Sequence, residues 1–467
     1  MTIMERIFVG RERELGRLES CFGKPSAFLI YGRRRIGKTA MLQRFCEGRR
    51  SLFLTCLNGS ARDNLDYFSD SISLLEGRDR TELRGWTDFI RSLTDICRTA
   101  PTVVVIDEYP FLSRVDPSVS SHVQRFIDHD LKDTGSMLIL CGSSVKAMRE
   151  EGEDSRSPLF GRFDSIIHLG ELSFEETRGL HPDMSGYDCL RLYLTFGGVP
   201  RYHIGIDQPD YESAIYEGFI LNDWMMDETS ALIQSEFPRG GDKLSILDAI
   251  ASGRTSLKEI SEHSGIDKNT VLDALRDLME YGAVGVVEPM AGAPKRPRYF
   301  LKDALFAFHH GVLVRRRALI DCRDRESTMT GLKPHIATHL GQRFELFSMD
   351  LIRRSYAVES IGRWWIDDSR RDIHMDIDIV ARIVSQGNRV DLFAECKFIG
   401  RSVGFHEYNI LEERVRLVGV DSNSRLMIVS ISGFDEEFRE FADSAHVALV
   451  GPEEILEGKP MPAIWKL

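Results

Sequence analysis

No two of the eight cysteines in this 467-residue chain stand at CxxC spacing, and none is matched with a histidine as a zinc ligand would be. Cys21, Cys46, Cys56, Cys97, Cys141, Cys189, Cys322 and Cys396 are scattered singly. That excludes a disulfide framework and a zinc ribbon, and it points to a reducing compartment. No stretch approaches the roughly 20 apolar residues of a membrane span. The N-terminal MTIMERIFVGRERE carries charge by Glu5 and Arg6 and has no apolar run of signal-peptide length. We therefore expect a cytoplasmic protein with no membrane partner. Internal repeats and low-complexity tracts are missing too, and so is an excess of positive charge. A net charge of −12 argues against indiscriminate coating of nucleic acid, but it is compatible with a local basic groove, because binding follows the local field.

The composition, 42% hydrophobic and 28% charged, is that of a globular protein, and the chain is too long for one ordinary core. From about residue 25 to 170, short apolar runs alternate with amphipathic stretches. The runs are Ala27–Tyr31, Ser51–Thr55, Thr102–Ile106, Met137–Cys141 and Ser165–Leu169. Continuous rather than alternating apolarity is the mark of strands buried on both faces of a parallel sheet. Residues 171–240 turn helical, punctuated by Gly197-Gly-Val-Pro200. Within 241–318, Leu244, Leu247 and Ile250 repeat at helical spacing. Two further helical patterns flank Ser264-Gly-Ile266, and a strand Val284–Val287 follows the turn at Tyr281–Gly282. With a basic hairpin at Pro294-Lys-Arg-Pro-Arg-Tyr-Phe-Leu-Lys302, this reads as a winged helix. The polar stretch 319–334 reads as a linker, and 335–467 as a further domain of a helix, strands and a helix.

Chemistry enters at Gly32-Arg-Arg-Arg-Ile-Gly37-Lys38-Thr39, a GxxxxGK[ST] loop between an apolar strand and the helix opening at Ala40. Its backbone amides and the helix N-terminus would cradle phosphates. Gly32, Arg35, Ile36, Gly37, Lys38, Thr39 and Ala40 are the expected nucleotide contacts, with Lys38 on the outer phosphates and Thr39 on magnesium. Val103-Val-Val-Ile-Asp107-Glu108 is a buried strand ending in two acids. Asp107 would hold magnesium and Glu108 would polarise the attacking water. Ser143 and Ser144 end another strand, where a polar phosphate sensor would sit; a plain helix cap is the alternative. Arg162, after a tight turn, is either a phosphate-facing or finger residue, in cis or from a neighbouring copy, or half of a structural ion pair. A finger acting between copies would require a homo-oligomer.

Phe8-Val-Gly-Arg11-Glu-Arg-Glu-Leu15, the GRRRIGKT loop, VVVIDE, SPLFGR and Phe196-Gly-Gly-Val-Pro200 together resemble the archaeal-type ATPase family, AAA-like and related to STAND and origin-recognition proteins. The resemblance covers about residues 1–320. It implies ATP as cofactor and an adenine-side role for Val9, Gly10 and Arg11.

In the winged helix, the second helix with Lys268, Asn269, Thr270 and Arg276, and the wing with Lys295, Arg296 and Arg298, would meet DNA. Asp267, Asp273, Asp277 and Glu280 on the same helix oppose that. A spacer or protein-docking role is the alternative.

His374-Met-Asp376-Ile-Asp378-Ile-Val-Ala-Arg382 and Val390-Asp-Leu-Phe-Ala-Glu395-Cys-Lys397 alternate apolar and polar residues around the turn-rich Ser385–Asn388, which predicts an antiparallel hairpin. If Val384 pairs with Arg389, Asp378 lies opposite Glu395; a two-residue turn at Gly387–Asn388 would set it opposite Lys397. Either register puts Asp378, Glu395 and Lys397 on one face. Opposed carboxylates repel unless a hard divalent cation, magnesium or manganese, sits between them. Lys397 could orient a water nucleophile, and Glu345 on the preceding helix could supply another oxygen. A solvated acidic hairpin is the bland alternative. The D…ExK arrangement resembles the PD-(D/E)XK nuclease fold, in the DUF234-like domain fused to archaeal-type ATPases. That resemblance implies Asp378, Glu395 and Lys397 as the core, with Cys396 packing on the opposite side.

The expected fold class is therefore α/β: a P-loop NTPase core with a parallel sheet (1–170), a helical lid (171–240), a winged helix (241–318), a linker (319–334) and a restriction-endonuclease-like domain (335–467). The expected function is an ATP-driven switch gating a metal-dependent nuclease that acts on nucleic acid, with DNA the expected form. The alternatives are a DNA-binding ATPase regulator and a signalling ATPase whose last domain binds a partner protein without cutting.

Overall fold

The computed structural model describes residues 8–464 apart from 78, 81, 238–239, 288–289, 291–296, 369–372, 386–387 and 419–423. Its backbone divides into two compact units. One is Met1–Leu180 with Gly198–Gly205, the other His181–Gly197 with Ile206–Leu467. The segment 171–240 is thus shared between the units.

The first unit is built on five parallel strands: β1 (Ser26–Tyr31), β2 (Ser51–Thr55), β3 (Val103–Asp107), β4 (Met137–Gly142) and β5 (Ser165–His168), in the order β2-β3-β4-β1-β5. The five apolar runs become these five strands to within a residue at each end. The reason is elementary: β1, β3 and β4 are buried along their whole length, so both faces favour apolar residues and polar ones fall at the strand ends. Phe68, Phe89, Leu93 and Phe126 cover the sheet in the main core cluster. Helix α1 (Lys38–Cys46) follows β1 through the glycine loop. The ends of β1, β3 and β4 therefore meet at one edge, where parallel α/β sheets place ligands.

The second unit begins with α2 (Gly186–Phe196) and contains the helix-turn-helix α3 (Gly240–Ala251), α4 (Leu257–Ser264) and α5 (Lys268–Tyr281). Local chemistry sets each boundary. Ser256 and Glu259 form a capping box at the start of α4, Asp267 accepts from Asn269 and Thr270 at the start of α5, and Gly265 and Gly282 end the two helices at φ 71° and 89°. Ile246, Leu247, Ile260, Val271, Leu275 and Leu278 form the core. The hairpin β6 (Val284–Val287) and β7 (Arg298–Leu301) completes the wing. Lys295 and Arg296, expected on the wing tip, lie outside the described residues.

One expectation is corrected here. The stretch 319–334 is no open linker, because a single helix, α6 (Arg325–Ser355), runs through most of it and through Pro334. Asp324 caps it by accepting the Ser327 amide at 2.8 Å. Thr328 and Leu332 are buried in line with Ile336, Leu340 and Phe344. A proline inside a helix costs about 3 kcal/mol, and that burial offsets it. The polar composition hid the buried line that Thr328 and Leu332 begin.

The chain ends in a five-stranded mixed sheet, in the order β12-β11-β10-β9-β8. Strands β8 (Val358–Asp368), β9 (Ile373–Ser385) and β10 (Asn388–Lys397) are antiparallel neighbours. Helix α7 (Phe405–Val418) then crosses over to the parallel β11 (Ser424–Ser430), and α8 (Glu436–Ala445) to β12 (Ala448–Val450).

Three buried imidazoles in this unit bear on stability. Burial holds His181 down at about 4 and His339 at about 3. His309 also stands at about 3, from burial first and the neighbouring His310 second. The unfolded chain takes up protons on these side chains near pH 6.5 and the folded one does not. Stability is therefore fully present above about pH 6.5 and falls as pH drops toward 4, by up to about 1.4 kcal/mol per pH unit for each histidine. His339→Phe should flatten the dependence of denaturation midpoint on pH between 6.5 and 4. A variant as acid-sensitive as the parent would contradict this account.

Candidate functional site

At the edge of the parallel sheet, the loop from Gly32 to Gly37 turns through left-handed backbone at Arg35 (φ 69°) and Gly37 (φ 91°). Gly32 is obligatory for packing: a Cβ there would lie 2.4 Å from the Leu169 carbonyl oxygen. Lys38 points back into the loop and donates to the carbonyls of Gly32 (2.8 Å) and Arg33 (2.9 Å). Burial lowers the pKa of its ammonium, against the opposing charges of Glu108 and Asp107. Thr39 Oγ1 donates to Asp107 Oδ2 at 2.8 Å. The hydroxyl and carboxylate expected to share a magnesium ion are thus already adjacent. Ammonium, loop amides, hydroxyl and carboxylate together fit a magnesium–nucleotide complex.

Glu108 stands in left-handed backbone (φ 56°). Its two carboxylate oxygens each accept from Ser143 Oγ at 2.8 Å, and Oε2 also accepts the Ser143 amide at 3.2 Å. Ser143 thus grips the acid expected to polarise water. Ser144 occupies the N-cap of the following helix, but its side chain makes no capping bond.

Arg11 is buried, and its guanidinium donates to the carbonyls of Ile36 (3.0 Å) and Gly170 (2.8 Å), while its amide donates to Glu176 (3.0 Å). It braces the phosphate loop from behind. Gly10 has no room for a side chain against Glu176, and Val9 lies beside Gly179. Arg162 is ion-paired with Asp128 (3.0 Å) and donates to the Phe160 carbonyl (3.0 Å). Two residues of the Phe196-Gly-Gly-Val-Pro200 motif were not assigned to the phosphate loop from the sequence. Gly198, at which a Cβ would lie 1.9 Å from the Leu172 carbonyl, fixes the turn of the FGGVP segment, and Pro200 Cγ then sits 3.7 Å from the Cβ position of Gly37.

In the second unit, β9 and β10 pair Val384 with Arg389 and Ala394 with Ile379. This is the first of the two expected registers, and one step further along it Asp378 adjoins Glu395. The strands part there, and the amide of Cys396, left open, donates to Asp378 Oδ2 at 2.8 Å. Lys397 Nζ donates to Glu395 Oε1 at 2.6 Å. Burial first, then the Glu345 and Glu395 carboxylates, push the Asp378 carboxyl up to about 8. Burial works against the charge on Lys397, yet Glu395 holds its pKa above the ordinary value. Burial likewise raises the carboxyl of Glu345, although Arg363 pairs with it at 2.5 Å. Cys396 is a buried thiol. Arg414 of α7, unremarked in the sequence, lies 3.3 Å from Glu395 Oε2 and 3.9 Å from Asp376.

The oxygens of Asp378, Glu395 and Glu345 have the hard-ligand chemistry that a divalent cation requires. Still, among the described residues no group of three or more His, Cys, Asp or Glu stands ready to hold a metal ion. Mutual repulsion makes a test. Asp378→Asn keeps an acceptor for the Cys396 amide but removes a charge. An acid with a raised folded pKa loses stability as pH rises from its unfolded value toward about 8. Without added metal, the variant should therefore unfold roughly 1–3 kcal/mol later at pH 8 and show no such decline. A variant less stable than the parent at pH 8 would show that Asp378 is not under charge strain.

On the helix-turn-helix, Arg276 is paired with Asp273 (2.9 Å), and Lys243 with Asp277 (2.9 Å). Arg298 of β7 stacks on Trp365 of β8, 4.5 Å from the ring centroid. The wing is thereby joined to the C-terminal sheet, as is Met290, whose amide donates to the Arg363 carbonyl at 2.9 Å.

These features define an ATP-handling P-loop protein with a helix-turn-helix and an additional α/β domain. Residues 8–204 match the family profile of an ATPase domain predominantly from Archaea. Residues 244–287 match the IclR helix-turn-helix domain, and 310–407 the DUF234 domain of archaeal and bacterial proteins of unknown function. Three stretches of the chain are thus similar to an archaeal ATPase domain, an IclR helix-turn-helix and a DUF234 domain. It is 27% identical over 429 residues to the uncharacterized protein MJECL04 of Methanocaldococcus jannaschii, covering 89% of this chain and 93% of that one. It is 33% identical over 89 residues to MJ0424 of the same organism, 19% of this chain and 86% of that one. Among solved structures, the Walker-type ATPase paby2304 of Pyrococcus abyssi is similar in fold, with a TM-score of 0.52 at 18% identity over 66% of this chain and 99% of that one. No helix among the described residues is long and apolar enough to cross a membrane.

Proposed function

We propose that the chain is an ATP-driven switch that gates a metal-dependent nuclease acting on DNA, with its cutting site at Asp378, Glu395 and Lys397. The observation that carries this reading is the convergence at the parting ends of β9 and β10. A buried carboxyl pushed up to about 8 lies beside a second acid whose ammonium partner is 2.6 Å away. Such crowding is costly to folding and is a mark of a site kept for chemistry. A magnesium or manganese ion held by Asp378 and Glu395 would supply Lewis-acid activation of a phosphodiester. Lys397 would orient the attacking water and steady charge on the phosphate, Cys396 would fix Asp378 through its amide, and Arg363 would hold Glu345 in place. ATP at Lys38, Thr39 and Asp107, hydrolysed with Glu108, would shift the packing of the domains or the assembly of copies. Val9, Gly10, Arg11 and Arg162 keep the adenine-side and finger roles given above as part of this proposal.

A second reading, a DNA-binding ATPase regulator that does not cut, is favoured by one fact: both oxygens of Glu395 are engaged by side-chain cations. Purified protein incubated with plasmid and linear DNA, with magnesium or manganese and with or without ATP, decides between them. The proposal expects metal-dependent product strands whose yield changes with ATP. Salt-sensitive DNA binding without any products would establish the second reading.

A further inference from the structure

Glu395 has no carboxylate oxygen to spare. Lys397 takes Oε1 at 2.6 Å and Arg414 approaches Oε2 at 3.3 Å. Its side chain is only 4% exposed, and a carboxylate so buried needs cations about it. The two partners differ in how they are held. Lys397 lies two residues along the same strand and makes the shorter contact. Arg414 reaches in from α7, makes the longer one, and keeps a second partner, Asp376, at 3.9 Å on the open side of the site, where Asp376 is 64% exposed. Arg414 therefore has both the weaker grip on Glu395 and a place to go.

We infer that Arg414 is a placeholder cation: its guanidinium occupies the position at Glu395 that a divalent ion takes, and metal binding displaces it toward Asp376. This rests on the nuclease reading above. Exchanging one positive charge for two would relieve the crowding of Asp378, Glu395 and Glu345, which a single guanidinium at the rim leaves in place. As the site stands, the Cys396 amide holds Asp378, Arg363 holds Glu345 and Lys397 holds Oε1 of Glu395, so Arg414 at Oε2 is the partner whose departure would open Glu395 to a metal ion. Arg414 acts through Glu395 and is a positioning residue.

Calorimetric titration of the full chain with manganese, taking as signal the binding that Glu395→Gln removes, tests the inference without reference to activity. Arg414→Met, which keeps the bulk of the side chain and drops the charge, should bind manganese about tenfold more tightly, because no competitor must be expelled. Arg414→Lys, which keeps the charge, should fall between the variant and the parent. Without metal, Arg414→Met should melt below the parent, and saturating manganese should close that gap. Should Arg414→Met not fold, a severalfold tightening in Arg414→Lys serves in its place. Equal or weaker affinity in these variants, with a parent that binds manganese and cuts DNA, overturns the placeholder role and leaves the nuclease reading intact. A parent with no manganese site at Glu395 overturns both.

Discussion

Lys38→Ala is expected to lower ATP hydrolysis by the full chain by about 10³-fold or more, a magnitude in keeping with losing a principal charge that stabilises phosphoryl transfer. Its ammonium is held 2.8 and 2.9 Å from two carbonyls of its own loop. It is therefore pre-positioned: incoming phosphate oxygens exchange for carbonyls along a side chain already extended and buried. Alanine removes the charge and also leaves those carbonyls without their donor, so nucleotide affinity should fall together with turnover. Glu108→Gln should behave differently. The amide can still accept from Ser143, which keeps the strand end ordered, but it cannot polarise water as a carboxylate does. Turnover should fall about 10²-fold or more with nucleotide binding preserved. Phosphate release at saturating ATP, measured beside equilibrium binding of a fluorescent nucleotide, separates the two effects. Hydrolysis by Lys38→Ala within tenfold of the parent would mean that this loop is not where ATP is split.

The contrast between what could and could not be read in the sequence follows from the range of the forces involved. Strands β1, β3 and β4 were legible because burial on both faces favours apolar residues along nearly their whole length, a constraint visible in a run of five or six letters. The phosphate loop was legible because wrapping an anion with backbone requires glycine at fixed spacing. The register of β9 on β10 was narrowed to two choices by alternation alone, and the ladder from Ser385–Asn388 to Ile379–Ala394 selects one. Only the part of α6 before residue 335 escaped, because it is largely polar and contains Pro334, so local preference argued against what the buried face of Leu332 and Ile336 dictates.

Side-chain partners were the least legible of all. Arg298 was assigned to a DNA backbone from its basic neighbours, yet it lies over Trp365, 67 positions away. Ser143 was placed near a phosphate by its strand end, but its bond to Glu108 was not read. Arg363 and Arg414 carried no pattern at all, because a cation that satisfies a buried acid can come from any element packed against it. Only its position one turn-step beyond the buried Leu411 of α7 hinted that Arg414 borders the core.

At the C-terminal site the largest effect should come from Lys397. Lys397→Ala is expected to reduce metal-dependent cleavage by about 10³-fold, since proton handling and electrostatic stabilisation at a reacting phosphate each contribute factors of roughly 10² to 10⁴. Loss of activity alone would not separate chemistry from collapse of the site, because the same substitution leaves the buried Glu395 with only Arg414, at 3.3 Å. Breaking a buried ion pair costs about 3–5 kcal/mol when one partner is left charged. The pair of variants Lys397→Ala and Lys397→Ala/Glu395→Gln resolves this. Neutral glutamine needs no cation, so the double variant should recover most of the melting temperature lost by the single one and still be inactive. If Lys397 serves only as the counter-ion of Glu395, Lys397→Arg, which keeps the charge, should cut as well as the parent. If Lys397 orients water and meets the phosphate, the wider guanidinium should restore stability without restoring cleavage. Full activity in Lys397→Arg would therefore reassign the lysine from the chemistry of cutting to the folding of the site.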